Sequence, residues 1–377
     1  MNAEIMTYIA KHREEAYALL LELARIPAPS NHEEKRAAFC KNWLEQQGAR
    51  GVYVDEALNV VYPLGVTQDN HLTVYMAHSD VVFPDTEPLP LRVEDGKIFC
   101  PGVGDDTANV VALLMTAKYI AETGISPVDG GLLLVVNSGE EGLGNLKGSR
   151  KIVEAYGQRI RELISFDGSY HGCVIKAVGS KRYRVQVLTE GGHSYSAFGN
   201  RNAIAYLASM IDTLYTMKVP PKGKTTYNVG VISGGTSVNT IAQQAEMLYE
   251  FRSDERESLE LMEKHFEACV EFYRAKGVEV LVELVGDRPC SGEVDEKRLQ
   301  ALFDRTAAVI KTHTGIEIAS RSGSTDCNIP LSIGIPAICT GCVTGGKAHT
   351  REEFVDIDSL LPGLKIAFEM VLHHFDQ

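Results

Sequence analysis

Two adjacent carboxylates, Glu140 and Glu141, follow the apolar run Leu132–Val136 and the turn Asn137-Ser138-Gly139. An apolar run of that length, preceded by Gly130-Gly131, reads as a buried strand of a parallel sheet. Open α/β sheets bind their ligands just beyond the carboxyl ends of such strands. Two ionised glutamates at a strand exit repel each other, and burying them costs several kcal/mol each unless a cation compensates. Neighbouring side chains also point in different directions, so the pair divides between two tasks. The arrangement directs attention to a metal.

Further acidic and histidine clusters fall at strand ends or loops. His78-Ser79-Asp80 closes the strand-like run His71–Ala77, and a neutral imidazole binds zinc best when a nearby carboxylate holds its other ring N–H. Gly102-Val103-Gly104-Asp105-Asp106-Thr107 precedes a helical pattern, where helix capping accounts for one of the two aspartates. Asp167 ends Ile164-Ser165-Phe166, and His349 sits in the glycine-rich stretch Gly345-Gly346-Lys347-Ala348-His349-Thr350. Singly, each has an ordinary explanation as a turn, a cap or a surface residue. Jointly they supply imidazoles and carboxylates to one place. That mixed donor set suits zinc or a similar divalent ion rather than calcium or an iron–sulfur cluster. The ligands suffice for two ions sharing a carboxylate, with one glutamate left over as a base. Two such ions lower the pKa of a bridging water and polarise a carbonyl, which is the chemistry of amide or ester hydrolysis.

The elements that must position these residues alternate. Helical periodicity over Glu4–Arg25 and Glu33–Gln47 is followed by strand-like Leu58–Tyr62 and His71–Ala77, helix Asp106–Ala121, strand Leu132–Val136, helix Leu146–Ala155 and strand Leu163–Phe166. This is the pattern of an α/β domain with a mostly parallel central sheet and flanking helices. Near Gly179 the style changes. Strand Arg182–Leu188, helix Ala203–Tyr215, strands Asn228–Ile232 and Ala245–Arg252, helix Ser258–Lys276 and strand Val278–Val285 form a β-α-β-β-α-β order, the ferredoxin-like α+β arrangement with both helices on one face. After Asp287, helix Glu296–Thr314, strand Ile335–Cys339 and helix Ser359–Phe375 resume the α/β style. The expected organisation is a catalytic domain (1–178 and 288–377) interrupted by an inserted lid or dimerisation domain (179–287).

A chain of 377 residues exceeds what one core usually organises, and its 44% hydrophobic and 23% charged residues are those of an ordinary globular protein. The net charge of −13 argues against a nucleic-acid or anionic-membrane partner. No apolar stretch reaches the roughly 20 residues that span a bilayer. The N-terminal residues show no basic segment followed by an apolar run, so the expected compartment is the cytoplasm. The eight cysteines are scattered and read as reduced, buried thiols. Cys339 and Cys342 have redox-pair spacing, yet without a second such pair they read as part of a strand-to-loop segment.

The order of these motifs resembles the cocatalytic zinc exopeptidases and deacylases, the family of aminoacylase, tripeptidase, glutamate carboxypeptidase and succinyl-diaminopimelate desuccinylase. The resemblance runs from Ile26-Pro27-Ala28-Pro29-Ser30 to the final helix and is nearest in pattern to the tripeptidase-like branch. It implies His78 and Asp167 on one metal, Glu141 and His349 on the other, and Asp105 bridging both ions with a cis peptide to Asp106. It makes Asp80 the residue that orients His78, and Glu140 the base that moves a proton from water to the leaving amine. Spacing alone does not rank Glu140 above Glu141. Within the inserted domain, Glu190-Gly191-Gly192-His193-Ser194 resembles the segment whose histidine enters the partner subunit's site in a homodimer and stabilises an oxyanion. Asn239 and Arg252 resemble substrate-contacting residues, Arg252 for a carboxylate. Gly323-Ser324-Thr325-Asp326 resembles a loop that lines the substrate site in the tripeptidase branch, where a second glycine is frequent at the position of Ser324, and Thr107 also departs from the family's usual continuation. The implied function is hydrolysis of short di- or tripeptides with two divalent ions, zinc first and cobalt or manganese as alternatives. N-acyl amino-acid deacylation is the competing reaction, and a noncatalytic peptide-binding protein of the same fold is the remote one.

Overall fold

The computed structural model describes residues 1–376. It divides into two compact units, 1–175 together with 293–376, and 176–292.

In the first unit, eight strands form one sheet in the order Tyr53–Val54, Val60–Leu64, Gly131–Asn137, Leu72–His78, Ile160–Ser165, Ala337–Cys339, Cys173–Ala177, Ser320–Gly323. The four central strands run parallel, with His78 opposite Asn137 and Cys339 opposite Ser165. Their carboxyl ends therefore lie along one edge. Every residue of Leu72–His78 and Gly131–Asn137 is buried, as expected of strands covered on both faces. The helix Ala108–Thr123 is buried from Ala108 to Ile120, so it is a central helix rather than an amphipathic surface one. It stops at Gly124, in the left-handed region at φ 66°. Its one cation, Lys118, reaches out along the helix to pair with Glu15 and Glu122.

The second unit is a four-stranded antiparallel sheet in the order Thr225–Gly234, Gln244–Ser253, Gly179–Leu188, Glu279–Arg288, with helices Ala203–Tyr215 and Arg256–Ala275 packed against it. This is the ferredoxin-like order. Strand alternation separates the faces: Tyr183, Val185 and Val187 join Met247, Tyr249 and Phe251 under the helices. Arg182, Arg184, Glu246 and Glu250 pair on the opposite face.

Some sequence expectations are corrected in detail. The helical stretch Glu4–Arg25 is two helices, Ala3–Lys11 and Arg13–Arg25, because His12 leaves helical geometry, stacks on Tyr8 and places Nδ1 2.9 Å from the Tyr8 carbonyl. Neither Asp105 nor Asp106 caps the following helix, which starts from Thr107 with no side-chain cap. The hairpin Arg92–Glu94/Lys97–Phe99 and its partner Phe354–Asp356 had no clear periodicity, being too short to show one. The eight cysteines are all free and buried. Among the described residues, no helix is long and apolar enough to cross a membrane.

Candidate active site

The strand exits of the first unit bring five of the expected residues together. His78 is the last residue of its strand and completely buried. Its Nδ1 lies 3.1 Å from the Asp80 carbonyl, to which it donates, so Nε2 is left as the ligand atom. That Nε2 lies 3.0 Å from Asp105 Oδ1. The second oxygen of the same carboxylate, Asp105 Oδ2, is 3.1 Å from His349 Nε2, which is also 2.8 Å from Glu141 Oε1. Asp105 thus presents one oxygen to each of two imidazoles. Asp167 approaches His78 from the next parallel strand, within metal-sharing distance of it. The Asp105–Asp106 peptide bond is cis.

Asp106 also lies in a metal-sized group with His78 and Asp167, but its oxygens have other work. Oδ2 accepts the His78 backbone N–H at 2.9 Å and Oδ1 accepts the Asn109 amide. Asn109 in turn donates to the Gly168 carbonyl and accepts the Cys342 N–H. Asp106 is therefore the anchor of the strand exits, and Asp105 is the carboxylate that faces outward to the imidazoles.

Asp80 does more than orient His78. Its carboxylate is 3.4 Å from His78 Nδ1, whereas it accepts the backbone N–H of Glu140 on Oδ1 and that of Glu141 on Oδ2, both at 2.9 Å, and the Ser30 hydroxyl at 2.6 Å. One buried carboxylate thereby fixes both the first histidine and the glutamate pair. Glu140 and Glu141 are each almost wholly buried.

The electrostatics of this cluster follow from imidazoles and carboxylates packed together out of water. Burial alone pulls the His78 imidazolium down, but Asp105, Asp106 and Asp80 outweigh it and raise its pKa well above the ordinary value. Asp105 and Glu141 push His349 up to about 10. Burial, then the Asp105 charge, pushes Asp167 up to about 7, and burial raises Asp106. For Asp105 burial works against ionisation, yet His349 and His78 hold its carboxyl below the usual range. With the imidazoles protonated, His78 and His349 offset the charge of the Asp105 carboxylate between them. Imidazole nitrogens and carboxylate oxygens converging in this way fit divalent ions with nitrogen and oxygen ligands, and bound ions would replace those protons.

Several site residues escaped the sequence reading. Arg36 lies in the buried stripe of helix Glu34–Gln46 with Ala37, Cys40 and Leu44. A cation inside an apolar stripe was the available signal. It donates to the Ile26 and Ser79 carbonyls and to the Thr107 hydroxyl at 2.8 to 3.0 Å. Asn137 donates to Asp326 at 2.6 Å, which ties the loop carrying Ser324 to the strand exit before Glu140. Glu353, four residues beyond His349, has no signal in spacing. Beside Asp105 a cavity of about 250 Å³ is lined by Gly168, Ser169, Gly345, Gly346, Lys347 and Phe354, among others. His349 and Lys347 both sit at positive φ, 63° and 58°, a conformation that costs non-glycine residues energy and concentrates at functional loops. Close approach at Gly341 excludes any side chain, since a Cβ there would lie 1.9 Å from the Gly168 carbonyl oxygen.

Ser324 follows the edge strand Ser320–Gly323 of the first unit, whereas His193, Asn239 and Arg252 lie in the second unit. Gly192–His193 pairs with Thr240–Ile241, and the Ser194 N–H bonds the Asn239 carbonyl, so His193 and Asn239 are neighbours. The Tyr195 N–H donates to His193 Nδ1 at 3.2 Å, which leaves the imidazole proton on Nε2. Arg252 is engaged by Glu250, through Nε to Oε1 at 3.0 Å and Nη2 to Oε2 at 3.1 Å.

A parallel sheet that gathers imidazoles and carboxylates at its strand exits, with an antiparallel α+β unit set into the chain, defines a metal-binding hydrolase of peptide or amide bonds. The chain belongs to peptidase family M20/M25/M40, whose pattern matches residues 74–373. It is 25% identical over 307 residues to carboxypeptidase G2 of a Pseudomonas species, covering 79% of this chain and 72% of that protein. It is 24% identical over 352 residues to succinyl-diaminopimelate desuccinylase of Corynebacterium glutamicum, covering 91% and 92%. A tripeptidase from Staphylococcus aureus has the same fold, with a TM-score of 0.75 at 23% identity over 96% of this chain and 99% of that one.

Proposed function

We propose that this enzyme is a dinuclear metal-dependent exopeptidase, with zinc as its first-choice ion, that cleaves short di- or tripeptides. The observation that carries the reading is the Asp105 carboxylate, whose two oxygens face His78 and His349 separately. One ion would be held by His78, Asp105 and Asp167, the other by Asp105, Glu141 and His349. Bound there, the ions would supply Lewis-acid polarisation of the scissile carbonyl and acidify water. Glu140, whose backbone is pinned by Asp80 beside Glu141, takes the proton of the attacking water and delivers it to the leaving amine. His193 stabilises the oxyanion with a hydrogen bond from its Nε2–H. Asn239, Arg252 and Ser324 contact the substrate. Arg252 exchanges Glu250 for a substrate carboxylate.

His193 acts from a second copy of the chain, in a homodimer formed through residues 179–287. Supporting this, Tyr195 and Phe198 are each 89% exposed beside His193, and Val231, Ile232 and Val238 are exposed on and after the edge strand Thr225–Gly234. Apolar groups exposed along a sheet edge mark an association surface. The compartment is the cytoplasm. The relative named desuccinylase supports a second reading, N-acyl amino-acid deacylation by the same residues with a different pocket.

A panel of tripeptides, dipeptides and N-acetyl amino acids, assayed with zinc, cobalt or manganese, separates the two. Peptide turnover abolished by chelation supports the first reading, and turnover confined to N-acyl amino acids replaces it with the second. Glu140→Ala is expected to keep its metal and lose turnover by orders of magnitude. Normal turnover in that variant would remove Glu140 from the mechanism.

A further inference from the structure

Glu353 is 2% exposed, four residues after His349, and its carboxylate is spent entirely on the backbone of the loop that carries Asp105. Oε2 accepts the Gly102 N–H at 3.0 Å, and Oε1 accepts the N–H groups of Gly104 and Asp105 at 2.8 and 2.9 Å. Its own carbonyl accepts the Cys100 N–H at 3.1 Å, and the strand Phe354–Asp356 that follows pairs with Lys97–Phe99. The two chain segments are thus laced together along the loop that carries Asp105.

The loop has the shape of an anion cradle. Amides turned inward form a concavity that an anionic oxygen fills. Here the concavity of the Gly102, Gly104 and Asp105 amides is filled by the chain's own glutamate, the Val103 N–H between them bonding the Cys100 carbonyl. Gly102 is at φ 73°, and a Cβ on it would stand 2.1 Å from Val81 Cγ1. The backbone at that point is therefore held tightly between Val81 on one side and Glu353 on the other. With Glu353 absent, its three amides would lose their partner, and such groups when buried seek another conformation or water.

We infer that Glu353 is a positioning residue for the metal centre: it fixes the Gly102–Asp105 backbone so that Asp105 can offer one oxygen to each ion site, and it ties that loop to the segment bearing His349. This rests on the dinuclear reading above. Glu353 also lines the cavity beside Asp105, but both of its carboxylate oxygens are turned to backbone N–H groups. Its effect passes through the backbone of Asp105, and outer partners of metal ligands commonly set affinity by 10- to 100-fold.

The test uses the full-length protein and its Glu353→Ala and Glu353→Gln variants. Metal uptake is measured by chelator competition with zinc, coordination by the visible spectrum of the cobalt-substituted forms, and loop order by amide hydrogen exchange at Gly102, Gly104 and Asp105 in the metal-free proteins. For Glu353→Ala, affinity for the more weakly held ion falls about 10- to 100-fold, the cobalt spectrum changes, exchange at the three amides accelerates, and kcat falls with KM little altered. Glu353→Gln keeps an oxygen for two amides but sets an NH₂ group against the third, so it falls between wild type and Ala, with faster exchange at one end of the loop. A Glu353→Ala protein matching wild type in affinity, spectrum and exchange overturns the inference. Should that variant fail to fold, unchanged affinity and exchange in Glu353→Gln overturn it equally. If wild type itself takes up no metal, the dinuclear reading falls and this one with it, whereas metal binding retained by both proteins removes only the role of Glu353.

Discussion

Asp80→Asn tests the internal logic of the site most sharply, because the change keeps size and shape. The wild-type carboxylate is ionised. Burial opposes that, but His78, Ser30 and the Glu141 N–H hold it below the usual carboxylate range. Its two oxygens each accept one N–H of the glutamate pair. An asparagine has one acceptor oxygen, so in either orientation its NH₂ group meets a backbone N–H. One charge-assisted bond is lost, worth about 1.5–3 kcal/mol, and a buried donor is left without a partner at about 1–3 kcal/mol. These costs overlap, and a total of about 2–4 kcal/mol follows. If the whole cost appears in the barrier, kcat/KM falls roughly 30- to 1,000-fold. The assay is hydrolysis of the best peptide of the substrate panel, with metal content measured on the same samples. Urea unfolding of the metal-free protein reads the stability component separately. Activity within threefold of wild type, with unchanged unfolding, would refute the claim that Asp80 sets the geometry of Glu140 and Glu141.

Two further outcomes are expected. Arg36→Met removes a buried cation and leaves the Ile26 and Ser79 carbonyls without their donor, so at about 1–3 kcal/mol for each stranded group unfolding free energy should drop by about 2–5 kcal/mol. Arg36→Lys should recover only part of this because one ammonium cannot reproduce the fork, and equal stability of all three proteins would contradict the assignment. His374 is held down to about 4 by burial, with the neighbouring His373, Arg305 and Arg161 adding to it against Asp129, while its Nε2 faces the Tyr75 hydroxyl at 3.0 Å. A depressed imidazole pKa means that the unfolded chain binds the proton first. The stabilising contribution is complete above pH 6.5 and is lost as pH falls from 6.5 towards 4, amounting to at most about 3 kcal/mol. His374→Gln should therefore show a shallower loss of stability over that interval in urea titrations. Parallel curves for the two proteins would show that His374 does not titrate in this way.

Much of the protein was legible in the order of its residues. The buried runs Leu72–His78 and Gly131–Asn137 announce a covered parallel sheet, because only strands protected on both faces can be apolar throughout. The alternation in Arg182–Leu188 announces a sheet with one open face. Side-chain type is a local property, so the residues able to ligate a metal, His78, Asp105, Glu141, Asp167 and His349, could be named from sequence and family resemblance. Their division of labour could not be read from spacing, because Asp105 and Asp106, like Glu140 and Glu141, are chemically equivalent in one dimension.

The tertiary structure shows how Asp105 and Asp106 differ, which spacing does not record. Asp106 turns inward because the His78 N–H and the Asn109 amide take its oxygens. Asp105 is left with one oxygen towards each histidine. Asp80 reaches across the sheet to the amides of Glu140 and Glu141, and Glu353 reaches back 248 positions to the Asp105 amide. Hydrogen bonds of this kind join groups brought near by parallel strands and loop closure, and nothing in local periodicity records them. The residue types state that a metal centre can be made. The fold supplies the backbone restraints that make it from these particular oxygens and nitrogens.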